Sequence, residues 1–101
     1  MGHDIFAIKT DDTKGEFPNL KKDVACLRRS CFSEDKALIY RALNAMKHYG
    51  LTSGRGTWEF FDKTRLEKAL DILTMYPDQR KFVENCLKNL DETGKIAIVF
   101  I

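Results

Sequence analysis

The sequence predicts an α+β fold: a small, mainly antiparallel three-stranded sheet in the order β-β-α-α-α-β, with three helices packed on it. Three observations predict it. Ile5–Ile8 and Ile96–Phe100 are apolar at every position, the pattern of strands buried on both faces. Between them lie three segments whose apolar residues recur at helical spacing. Clusters of turn formers separate the segments, among them Thr10–Asn19 and Asp91–Gly94.

The first strand, Ile5–Ile8, is bounded by Asp4 and Lys9. Val24–Arg29 is the second, and the intervening loop is short enough for an antiparallel hairpin. Ser33 suits an N-cap, with Glu34 and Asp35 favourable to the helix dipole in the first turn. Leu38, Ala42, Ala45, Met46 and Tyr49 then share one face, and Gly50 suits a left-handed helix end. The first helix is thus expected over residues 34–49. Thr57–Phe61 reads as a short edge strand or an extended lead-in. Asp62 is the expected N-cap of the second helix, with Phe61 and Leu66 as a hydrophobic staple around it. Leu66, Ala69, Leu70 and Leu73 form its inner face. Pro77 suits the first turn of the third helix, whose stripe is Phe82, Val83, Cys86, Leu87 and Leu90.

The chain has 101 residues, 44% of them hydrophobic and 32% charged, which fits a single domain over residues 1–101. The longest uncharged apolar run, Ile96–Ile101, is too short to span a bilayer, and the N-terminus lacks a signal-peptide pattern. A cytoplasmic location is expected. Three cysteines, none in a CxxC pair, do not suggest a disulfide framework. With only His3 and His48 beside them, no metal or other cofactor is expected. Cys26 and Cys86 read as core residues, and Cys31, near Arg28 and Arg29, as the more reactive thiol. Three helices on one face of the sheet leave the other to be covered, either by helices divided between the faces or by a second copy; a homo-oligomer, most simply a C2 dimer, is expected.

The opening Met1-Gly2-His3-Asp4-Ile5-Phe6, the pair Tyr49-Gly50 and the pair Ser53-Gly54 resemble a group of small bacterial and phage proteins. Those open MGxDI and carry a helix ending in a Tyr-Gly or Tyr-Ala turn, then a Ser-Gly segment. The group has no assigned activity, so the resemblance implies a phage-type origin and no functional residues.

The most distinctive stretch is Gly50–Trp58, which holds three of six glycines, Arg55 and the only Trp. It lacks the Lys-Ser/Thr of a Walker loop and follows a helix, unlike a Rossmann turn. Backbone N–H groups beside Gly54 and Gly56 could nest an anion, with Arg55 as a bidentate donor and Tyr49 or Trp58 as a stacking face. Residues 20–55 carry eight basic and three acidic side chains, a net of +5 that leaves −3 for the rest. The expected ligand-binding set is therefore Tyr49, Ser53, Gly54, Arg55, Gly56, Thr57 and Trp58 with Arg28 and Arg29. No nucleophile–base pair or carboxylate dyad stands out, so no catalytic residues are assigned. Asp62, Glu67 and Asp71, with Lys63, Arg65 and Lys68, read as solvated helix faces. The pI near 8.4 and the lack of an aromatic sheet motif weigh against nucleic acid. The expected function is non-catalytic binding of a small anionic ligand, of nucleotide or phosphate type. The alternative is an interaction module that inhibits or bridges a macromolecular partner.

Overall fold

In the computed structural model, residues 4–13, 22–27, 37–45 and 57–100 are described, and the account that follows is of these. Strands β1 (Ile5–Ile8), β2 (Ala25–Leu27), β3 (Thr57–Asp62) and β4 (Lys95–Phe100) form one sheet in the order β2-β1-β4-β3. Every neighbouring pair is antiparallel. The sheet therefore has four strands and not three. The addition is the Thr57–Asp62 segment, which pairs along its whole length from Thr57↔Phe100 to Asp62↔Lys95. A turn over Asp91–Gly94 leads into β4, with Gly94 at φ +79°, a region glycine enters without a Cβ clash.

The helices are α1 (Ala37–Ala42), α2 (Lys63–Ile72) and α3 (Pro77–Lys88). Asp62 caps α2 as its sequence position suggests, its Oδ1 accepting from the Arg65 N–H at 2.9 Å. Phe61 and Leu66, flanking that cap, are both fully buried. Pro77 opens α3. The first helix is a correction. It ends at Ala42, and the Ser33 cap with residues 34–36 and 46–49 of the expected helix lie outside the described residues. Asn44 takes φ +56°, while Ala45 N–H reaches Tyr40 O (2.7 Å) and Asn44 N–H reaches Arg41 O (3.0 Å). Those two bonds are a Schellman closure, with Asn in the left-handed position expected of Gly50. Because the helix stops early, its inner face is also different: Ile39, Tyr40, Ala42 and Leu43 are buried, and Leu38 only partly.

All three helices contribute to one core. Ile5, Ala7, Ala25, Leu27, Phe61, Ile96, Ile98 and Phe100 supply the sheet side, and Tyr40, Leu66, Leu73, Phe82, Val83 and Cys86 the helix side. The alternate residues of the same strands form a second, smaller cluster of Phe6, Ile8 and Val99 with Trp58 packed against it. Phe6 is 6% exposed, and Ile8, Ala97 and Val99 are at 0% within a single chain. One copy thus buries the centre of the second face, while Cys26 and Phe60 on that same face stay exposed. The expected homo-oligomer rested on an uncovered second face, and of its described apolar residues a single copy leaves only Cys26 and Phe60 exposed. Cys26 is a second correction, since it is exposed on edge strand β2 while Cys86 is buried.

Candidate functional site

Strand register fixes which segments share an end of the sheet. Leu27 pairs with Ile5, Ile5 with Phe100, and Phe100 with Thr57. The end of β2, the start of β1, the end of β4 and the start of β3 therefore form one row. Segment 28–36 continues from the first of these positions and segment 46–56 leads into the last. The described flanks of the two basic parts of the expected site, more than twenty residues apart in the sequence, lie at a single end of the sheet. Three strand spacings of about 4.8 Å put Leu27 and Thr57 roughly 14 Å apart across that row. Of the expected site residues, Arg28, Arg29, Tyr49, Ser53, Gly54, Arg55 and Gly56 lie outside the described residues, as do Cys31, His3 and His48.

Thr57 and Trp58 are the described members. Thr57 is the first residue of β3. Trp58 pairs with Val99, is half-buried, and rests on Phe6, Ile8 and Val99. Its ring is thus partly an anchor between the glycine-rich segment and the second cluster. Phe60, which carried no weight in the sequence, stands beside it with ring centroids 5.4 Å apart and is 43% exposed. Its signal was the alternation Trp58–Phe60 against Glu59–Phe61, which puts both rings on the face opposite the helices once β3 is a strand.

Arg65 is the other residue the sequence misplaced, as part of a solvated helix face. Its Nη1 donates to Glu59 Oε2 at 3.0 Å, and Nη2 donates to Leu43 O at 2.8 Å and Asn44 O at 3.2 Å. The guanidinium carbon lies 4.0 Å from the centre of the Phe61 ring. Nothing in a helical charge pattern announces contacts 21 and 22 residues distant.

The opposite end of the sheet carries acidic side chains of the turn before β4 together with Lys9 and Lys95. A shallow open hollow there is lined by Asp11, Asp91, Glu92 and Thr93. Asp91 is a structural hub within it. Its Oδ1 accepts from Thr93 N–H (2.8 Å), Thr93 Oγ1 (2.7 Å) and Lys95 N–H (3.0 Å), and its Oδ2 from the Thr10 hydroxyl. The hydroxyl of Thr10, then that of Thr93, holds its carboxyl well below the usual range. Every oxygen of Asp91 is thus committed to the turn and to the Thr10–Thr13 helical turn. Burial pushes the Cys86 thiol far above its ordinary pKa, so it is an unreactive core residue. No group of three or more metal-type ligands occurs among the described residues.

Comparison with family models, curated proteins and solved structures gave no match. No helix among the described residues is long and apolar enough to cross a membrane.

Proposed function

We propose that the chain is a non-catalytic, cytosolic binder of a small anionic ligand of nucleotide or phosphate type. The observation that carries this is the shared row Leu27–Ile5–Phe100–Thr57. It lets Arg28 and Arg29 serve the same ligand as the run from Ser53 to Gly56, although the sequence separates them by more than twenty residues. The net charge of +5 over residues 20–55 attracts phosphate. Arg55 between two glycines suits bidentate phosphate contact with close backbone approach. Tyr49 and the partly exposed Trp58 and Phe60 offer flat faces for a base. Sequestering a nucleotide signal is a role that fits a small phage-type protein.

A thermal-shift panel of mono-, di- and cyclic nucleotides with inorganic pyrophosphate tests this. A ligand at about 100 times its Kd adds roughly 2.7 kcal/mol, which for a domain this size raises Tm by roughly 10–20 °C. No shift from any anion at millimolar concentration would reject the reading.

One observation favours the alternative, an interaction module. Phe60 is exposed on β3, an edge strand of the sheet, and aromatic side chains on a strand edge suit docking of an extended partner segment.

A further inference from the structure

Helix α1 has six residues, fewer than two turns. A helix that short has little stability of its own in water, so it persists only while docked. Two ties dock it. Tyr40 lies against Phe100 with ring centroids 5.3 Å apart, and Phe100 lies against Phe61 at 6.2 Å. The Arg65 guanidinium stands over that same Phe61 ring, 4.0 Å from its centre. From there Nη2 donates to Leu43 O and Asn44 O, while Nη1 donates to the Glu59 carboxylate of β3. Leu43 and Asn44 form the closing turn of α1, and their carbonyls lie beyond its internal ladder. A side chain of α2 takes up both. A planar fork with five donors can meet a carboxylate and two carbonyls together, whereas a lysine ammonium is a compact point charge. The backbone of Arg65 is fixed in turn by Asp62, whose Oδ1 accepts from its N–H. The sheet does not depend on α1, since its three pairings join β1, β2, β3 and β4 to one another.

We propose that Arg65 is a clasp. It holds residues 37–45 on the corner between β3 and α2, and this segment opens as one unit while the sheet, α2 and α3 stay folded. Local openings of this kind draw on short elements outside the main ladder. Release of α1 uncovers the Phe100 ring against which Tyr40 rests, so the clasp governs whether that apolar surface is shown.

Native-state hydrogen exchange of the intact chain along a urea series tests this. The reporters are the amides of Leu43, Asn44 and Ala45, bonded to the carbonyls of Ile39, Arg41 and Tyr40. They are compared with the amides of the β4 ladder. In the wild type the reporters are expected to be protected about tenfold less than β4 or weaker still, and to depend less on urea, because a small opening exposes little surface. Arg65→Met keeps the apolar stem over Phe61 and is expected to speed the reporters by about tenfold more, the effect of losing charge-assisted hydrogen bonds. Arg65→Lys should speed them by less. Wild-type reporters as protected as β4, with the same urea dependence, would mean that α1 opens only with the whole chain, and would overturn the proposal. Reporter exchange unchanged in Arg65→Met would overturn it too, or in Arg65→Lys should the first variant fail to fold.

Discussion

Asp91 receives four hydrogen bonds from Thr10, Thr93 and Lys95, and these hold its carboxyl in the ionised form. The folded chain therefore binds fewer protons at this site than the unfolded one does. That stability is fully present above the ordinary Asp pKa of about 3.9 and is lost as pH falls towards the lowered native value. Melting temperature against pH should decline below roughly pH 5 in the wild type, and Asp91→Asn should decline less steeply. Equal slopes would remove Asp91 from the acid response. Trp58 and Gln79 show how far a residue's role can be read from its type. Trp58 is distinctive as a stacking face, yet half of it is packed on Phe6, Ile8 and Val99. Trp58→Ala should cost about 2–4 kcal/mol in denaturant melts, near the lower part of the range for a core Trp. Gln79 is fully buried on α3. It precedes Phe82 and Val83 by three and four positions, so it falls on their stripe, and only its polar side chain concealed this.

Elements were legible where a local signal is complete. Asp62, Leu66 and Pro77 mark helix starts through chemistry confined to a few residues, and the structure has α2 and α3 at those places. The end of α1 was not legible, because Met46 and Tyr49 continue a helical period that the chain abandons at Ala42. Asn adopts the left-handed conformation less readily than Gly, so its presence at position 44 gave a weak stop signal. Asn44→Gly should be neutral or slightly stabilising, whereas Asn44→Val should cost about 1–2 kcal/mol through the Cβ clash at φ +56°. Similar melting of both variants would argue against the left-handed closure. β3 was ambiguous for a different reason: TWEFFD gains its ladder from β4, more than thirty residues later. In α2, Leu66 and Leu73 are fully buried while Leu70 is only partly so. Leu66→Ala should therefore cost about 2–5 kcal/mol and Leu70→Ala clearly less, as urea unfolding would measure.

Across the whole molecule, the apolar strands at both ends of the chain announced burial on two faces, and the sheet has it: Ile8, Ala97 and Val99 are covered within one chain. A second copy is not needed for that burial, so a C2 dimer, which light scattering at micromolar concentration would give as twice 11.7 kDa, would have to form on the Phe60 edge of the sheet. The candidate site was legible in composition but not in geometry. Sequence could single out Gly50–Trp58 and the paired arginines, but only strand order β2-β1-β4-β3 brings their described flanks to one end. Pairings between distant segments carry no local signature, which is also why Arg65 was misjudged. Anion binding at that end is tested most directly through Arg55, by pairing calorimetric melting with titration of the best-shifting nucleotide or pyrophosphate. Arg55→Ala should leave stability within about 0.5 kcal/mol, as expected for a loop side chain away from the core. The same substitution should weaken binding by about 1.5–3 kcal/mol, the range for charge-assisted hydrogen bonds, and added salt should weaken it further. Binding unchanged in Arg55→Ala would contradict the reading and move the interaction module ahead of it.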